Sequence, residues 1–218
     1  MTTIRCKAII FDNDGVLVNS KHAVEQGWRD WAVLRGLDPD EVAAQAEGRR
    51  SQDTVALLAP HLDALAESQK VTEFELDYID STRAFPNAPE LLAAMQGRPH
   101  AVVTSGTADL ASARLNAVNL PIPAVFITGD QVANGKPHPE GYRLAAERLG
   151  IDPAQCVVIE DSPPGVTAAK AAGATAIGVA TTHPAEELAH ADYVLPALAG
   201  VSLAFEGDDV LVTVRTAE

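Results

Sequence analysis

Basic residues are scarce in this chain of 218 residues: 16 Lys and Arg stand against 30 Asp and Glu, for a formal net charge of -14. That balance argues against a nucleic-acid partner, because phosphate backbones are bound by surfaces rich in Lys and Arg. A small anionic ligand remains open, since a few local cations outweigh a distant field. Cysteine is scarcer still. Cys6 and Cys156 are the 2 in the chain, too few for a disulfide framework. Long apolar runs are missing. No stretch reaches the ~18 consecutive apolar residues of a membrane span. The first apolar run, Ala8 to Phe11, is too short for a signal peptide and ends in an acid. Internal repeats and low-complexity tracts are absent. What is present is ordinary for a globular protein: 47% hydrophobic and 21% charged residues. The length suffices for one large domain, alone or carrying a smaller one. A cytoplasmic enzyme is the expectation.

Short apolar runs bounded by Gly, Pro, Asp or Ser read as buried parallel strands at 7–11, 100–104, 124–127, 156–160 and 175–179. Helical patterns alternate with them at 89–95, 108–118, 139–149 and 165–172, the last two stopping at Gly150 and Gly173. This alternation predicts a parallel sheet with helices on both faces. The stretch from about Ser20 to Phe85 breaks the rule, with no convincing strand. Val24, Trp28, Trp31 and Leu34 recur at helical spacing within 23–34. Asp38-Pro39-Asp40-Glu41 is a helix start, and 51–58 and 67–83 read as further helices. A helical insert therefore follows the first strand. It either adds core laterally or covers the strand ends, where open α/β sheets place their ligands.

Four motifs sit at strand ends. Phe11-Asp12-Asn13-Asp14-Gly15 offers two carboxylates two residues apart, with Gly15 free to turn sharply. An Asx-rich turn is the structural alternative. Thr104-Ser105-Gly106-Thr107 precedes a helix, where hydroxyls and backbone N–H groups bind phosphate or simply cap the helix. Lys136 lies between Gly135 and Pro137, placed to neutralise a phosphate oxygen or a carboxylate cluster, unless it is a solvated loop lysine. Glu160 and Asp161 end a run of aliphatics, where buried carboxylates need a partner such as a hard divalent ion. A capping role for Asp161 ahead of the next helix is the alternative. Together they supply acids, hydroxyls, a lysine and acids to one sheet edge. That set fits metal-assisted phosphoryl transfer through a covalent aspartyl intermediate.

Between Lys7 and about Thr182 these motifs, in this order, resemble the haloacid dehalogenase superfamily in its phosphatase branch. The insert after the first motif resembles the small helical cap of β-phosphoglucomutase-like members. The stretches 101–107, 135–140 and 178–182 are most similar to sugar and polyol phosphatases of the 2-deoxyglucose-6-phosphatase and glycerol-phosphatase type. The resemblance implies an α/β fold: a Rossmann-like parallel sheet core, residues 1–18 and 86–218, with an inserted helical cap domain, residues 19–85. It implies a phosphatase acting on a small phosphorylated sugar or polyol, with Mg²⁺ as cofactor. A β-phosphoglucomutase-like phosphoryl shift and a non-catalytic phosphate-binding protein are the alternatives. The protein would be a monomer or a weak homodimer.

By position, the resemblance makes Asp12 the nucleophile and a metal ligand. It makes Asp14 the acid and then the base, its backbone carbonyl also facing the metal. Thr104 or Ser105, with the Gly106 amide, would hold phosphoryl oxygens. Lys136 would pair with Asp12 and the phosphate. Asp161 would be a further metal ligand, with Glu160 nearby, directly or through water. Selectivity would come from the insert, where Arg49, Arg50 and Asp53 form a loop suited to clamp an anion or hydroxyls. Trp28 and Trp31 are expected in the core of the insert. The chain departs from its relatives at Asn19-Ser20-Lys21, the hinge into the insert. It has Val24 where the mutase branch places a histidine. If Asp12 and Asp161 share one ion, Cys6 and Cys156 lie near each other at the opposite end, as reduced structural thiols. The alternating tail at 209–215 reads as a strand without an assigned role.

Overall fold

The computed structural model describes residues 1–45 and 48–215. Residues 46–47 of the expected cap and 216–218 of the expected core lie outside the described residues. Six strands form one parallel sheet, in the order β6 (Val125–Ile127), β5 (His100–Val103), β2 (Ala8–Phe11), β7 (Cys156–Glu160), β8 (Thr175–Val179) and β9 (Tyr193–Leu195). Their aliphatic runs carry no polar alternation because helices cover both faces. All four residues of β2 and all five of β7 are buried. Helix α5 (Ala88–Ala94) backs one face, with Leu91, Leu92 and Met95 packed on Phe11, Val102 and Ile159. On the other face α7 (Glu140–Leu149) and α8 (Pro163–Ala172) set Tyr142, Ala145, Val166 and Ala169 against Ile10 and Val158. Helix α6 (Ala108–Ala117) follows β5.

The register positions the site. Phe11 pairs with Val102 on one side and Ile159 on the other, and the Asp12 amide donates to the Ile159 carbonyl at 2.9 Å. One step further along, Asp12 emerges level with Glu160. One alternative is excluded here and one sequence expectation is corrected. Ser162, not Asp161, caps α8: its hydroxyl accepts from the Gly165 amide, and Pro163 and Pro164 fill the first turn. The helix expected over 67–83 is α4 (Ala64–Asp77), which stops early. Tyr78 leaves helical geometry, and Ile79–Ser81 form a single 3₁₀ turn.

The insert is helical, as expected. Helices α1 (Lys21–Arg35), α2 (Pro39–Ala43), α3 (Ser51–Leu58) and α4 bury a core of their own around Trp28, Trp31, Val42, Val55 and Val71. Asp38 caps α2 by accepting from the amides of Asp40 and Glu41. Two short strands run antiparallel where the chain enters and leaves: β3 (Val18–Asn19) and β4 (Arg83–Ala84). Pairs this short show no periodicity and leave no trace in the pattern of residues.

A second sheet is antiparallel, with β1 (Thr2–Cys6) beside β11 (Asp209–Val214) and β11 beside β10 (Val201–Glu206). The alternating tail is its central strand. Val210, Val212 and Val214 face the core that contains Met95 and Val201. Cys6 and Cys156 are buried and free at the end of the sheet opposite Asp12, where Ala8, two residues after Cys6, pairs with Cys156. Burial pushes the two thiols up, to about 12 and about 11. Among the described residues no helix is long and apolar enough to cross a membrane.

Candidate active site

Four strand ends converge at the carboxyl edge of the parallel sheet. Lys136 arrives from the loop before α7 and is buried between two acids. Its Nζ donates to Asp12 Oδ1 at 2.7 Å and to Glu160 Oε1 at 2.6 Å. Glu160 is saturated: Oε1 also accepts from the Tyr142 hydroxyl, and Oε2 accepts from the amides of Asp161 and Ser162 and the Ser162 hydroxyl. Gly165 makes this possible, since a Cβ there would lie 1.7 Å from Glu160 Oε1. Asp161 accepts from the Thr182 hydroxyl on Oδ2. Gly15 turns with φ +85°, and a Cβ on it would fall 1.9 Å from that same oxygen.

One lysine serves three buried carboxylates. Oxygens of Asp12, Glu160 and Asp161 lie within 4.8 Å of one another. Burial pushes Asp12 up to about 7, against the pull of Lys136. Burial, then Glu160 and Asp12, holds Asp161 well above the usual carboxylate range. Burial also opposes the charge on Glu160, yet Lys136, the Ser162 amide and Tyr142 keep it below its ordinary value. Lys136 is held well above its own by Asp12 and Glu160, despite burial. Of the two acids bonded to Lys136, Glu160 has the firmer charge because it has more donors. The cluster is short of positive charge. Its hard oxygen donors, with Asp12 and Asp161 not saturated as Glu160 is, fit a small divalent cation.

The second acid is held apart from this cluster. Asp14 Oδ1 accepts from the Ser20 hydroxyl at 2.6 Å and Arg114 Nη1 at 2.8 Å; Oδ2 accepts from Asn13 and the Thr104 hydroxyl. Thr104 Oγ1 in turn accepts from the Gly106 amide at 3.0 Å. The Ser105 hydroxyl turns the other way, toward the Gly48 carbonyl of the insert. Thr107 starts α6 without a side-chain cap bond.

Asp12, Asp14, Thr104, Ser105, Gly106, Lys136 and Asp161 all line one cleft, roofed by Val24, Trp28, Arg49, Ser51 and Glu75 of the insert. Arg49 is exposed at its edge. Arg50 and Asp53, expected to contact substrate, do not line this cleft. Arg50 is buried, and its guanidinium is spent on Asp53 and on the carbonyls of Val132 and Ala133. The pair ties the insert to the core. Trp28 and Trp31 pack edge to face with centroids 5.4 Å apart, in the core of the insert as expected, though Trp28 also reaches the cleft wall.

Sequence reasoning missed Arg114 and Glu75. Arg114 Nη2 donates to Glu75, so α6 of the core and α4 of the insert meet in a buried ion pair inside the cleft. Burial pushes Glu75 up to about 7 against Arg114, with Asp14 adding to the rise. A signal was available. Arg114 falls on the stripe Leu110, Ala111, Arg114, Leu115, and Glu75 on the stripe Glu67, Ser68, Val71, Glu75. Each is a charge on the face its helix buries.

An open parallel sheet carries acids on its strand ends beneath a helical insert that follows its first parallel strand, the place where α/β sheets bind ligands. The family model for haloacid dehalogenase-like hydrolases matches residues 6–173. The chain is 38% identical over 208 residues to hexitol phosphatase A of Escherichia coli, covering 92% of this chain and 95% of that one. It is 34% identical over 228 residues to 2-deoxyglucose-6-phosphate phosphatase 2 of Saccharomyces cerevisiae, covering 93% and 92%. The crystal structure of CbbY from Rhodobacter sphaeroides in complex with phosphate superposes with a TM-score of 0.79 at 27% identity, covering 89% of this chain and 95% of that one. The chain belongs to the haloacid dehalogenase-like hydrolases.

Proposed function

We propose that this hydrolase is a Mg²⁺-dependent phosphatase of small phosphorylated sugars or polyols, with residues 1–18 and 86–218 as core and 19–85 as cap. The observation that carries the reading is Asp12, bonded to Lys136 through one oxygen while no described group donates to the other. The names of the relatives, hexitol phosphatase A and 2-deoxyglucose-6-phosphate phosphatase 2, support the substrate class.

In this reading the free oxygen of Asp12 attacks phosphorus and the bond to the leaving alcohol breaks. Asp14 gives that alcohol its proton, leaving an aspartyl phosphate on Asp12. Asp14 then takes a proton from water, which attacks phosphorus and frees phosphate and the Asp12 carboxylate. Thr104, whose hydroxyl faces Asp14, and the Gly106 amide hold phosphoryl oxygens; Ser105 is turned to Gly48 and serves the cap contact. Lys136 shares the phosphoryl charge. Asp12 and Asp161 would hold Mg²⁺, with the Asp14 carbonyl. Bound there, it would offset the charge gathered by the carboxylates and the phosphoryl oxygens. Glu160 positions Lys136 and the start of α8. Val24, in the cleft wall where mutases carry a histidine, has no proton to offer, which does not favour a phosphoryl shift.

The test is phosphate release from hexitol, 2-deoxyglucose, glycerol and nucleoside monophosphates, with Mg²⁺ and with chelator. Metal-dependent release that favours sugar or polyol phosphates, and is lost in Asp12→Asn, is the expected result. No release from any monoester would overturn the reading.

A further inference from the structure

The mechanism gives Glu75 no task, and gives Arg114 only its bond to Asp14. Both side chains are 3% exposed, and both line the cleft. Burying an ion pair is seldom worth its desolvation; apolar residues of similar size serve as well or better. Apolar neighbours are at hand, since Leu110, Val24 and Trp28 share the same wall. The pair is also incomplete. Arg114 spends Nη1 on Asp14 and Nη2 on Glu75, while its buried Nε has no partner among the described residues. Glu75 is held in place from behind: a Cβ on Gly27 of α1 would lie 2.5 Å from Glu75 Cγ.

We infer that Glu75 and Arg114 are the specificity-determining pair of the cleft, reading the hydroxyl groups of an uncharged polyhydroxy leaving group. The inference rests on the phosphatase reading above. A carboxylate accepts from alcohol O–H groups, and a guanidinium N–H donates to their oxygens, so adjacent hydroxyls of a sugar or polyol find both. A second carboxylate or phosphate on the substrate would meet Glu75 in a poorly hydrated wall and be repelled. The favoured substrates are monophosphates of neutral polyols. Phosphorylated acids are disfavoured. Because Glu75 comes from the cap and Arg114 from the core, the reading site is complete only with the cap closed.

The experiment compares kcat/KM for a hexitol monophosphate, a phosphorylated hydroxy acid and phenyl phosphate, which lacks hydroxyls. In Glu75→Gln the ratio of hexitol phosphate to phenyl phosphate falls about 10-fold or more, the scale of hydrogen bonds to a buried charge. The ratio of phosphorylated acid to phenyl phosphate rises. Arg114→Lys keeps the charge without the fork and lowers the hexitol ratio too, so the test stands if one variant fails to fold. Ratios unchanged in active, folded variants would overturn the inference and leave the phosphatase reading intact. A wild-type enzyme that releases phosphate from no monoester would overturn both, before any variant is made.

Discussion

Replacing Lys136 with methionine keeps the length of the side chain and deletes its charge. The structure sets the scale of the effect. Lys136 is the cation bonded to Asp12 and Glu160, which with Asp161 gather oxygens within 4.8 Å of one another. Removing one partner of a buried ion pair costs about 3–5 kcal/mol. At about 2–4 °C per kcal/mol for a chain of this size, melting falls by roughly 10 °C. The loss depends on pH. Asp12 already stands near 7 in the fold, above its ordinary 3.8. An acid raised on folding destabilises the fold once ionised; the cost begins to shrink as pH falls through its folded value and is gone only below its ordinary 3.8. Without Lys136 that folded value rises further, so Lys136→Met regains stability between pH 8 and pH 5.5 more than wild type does. Glu67 in the cap does not confuse the window. Despite its burial, Lys70, Arg35 and Trp31 hold it near 2, so its contribution is lost only as pH falls from its ordinary 4.5 toward 2. The assay is thermal unfolding in chelator at the two pH values. A variant as stable as wild type, or equally destabilised at both, would refute the electrostatic reasoning.

Gly15→Ala puts a methyl group 1.9 Å from Asp161 Oδ2 at a left-handed backbone; displacing that carboxylate should cost about 100-fold in kcat and raise the Mg²⁺ requirement, read from metal titration of activity. Arg50→Ala leaves Asp53 and the carbonyls of Val132 and Ala133 without their donor. It should lower stability by about 1–3 kcal/mol and raise KM for all substrates alike, phenyl phosphate included, in contrast to Glu75→Gln. Cys6 and Cys156, pushed up by burial, carry little thiolate at pH 8. Alkylation of the native protein should be slow, and fast only in denaturant; rapid native labelling of either would contradict their placement.

The sheet was legible because parallel strands buried on both faces leave unbroken aliphatic runs, and because Asp12, Thr104 and Asp161 each end such a run. Lys136 was legible through its setting between Gly135 and Pro137, though not its second bond to Glu160, which depends on Tyr142 and the turn at Ser162. The ribbon of β3 and β4 was hidden because pairing two residues leaves no periodic trace. Strand β1 was hidden because Thr2–Cys6 takes its partner from Asp209–Val214, at the far end of the chain. Arg50 and Asp53 were placed in the substrate cleft because an arginine in an acidic loop invites an anion. The carbonyls that occupy Arg50 come from a loop about eighty residues away. Arg114 and Glu75 were readable as charges on buried helix faces, but their meeting across the cleft is a product of the tertiary fold.

The most direct test follows the phosphoryl group. Enzyme mixed with labelled hexitol phosphate and Mg²⁺, quenched in acid within one turnover and digested, should carry the label on the peptide containing Asp12, and Asp12→Asn should carry none. Label on another residue, or turnover that persists in Asp12→Asn, would contradict a nucleophilic Asp12.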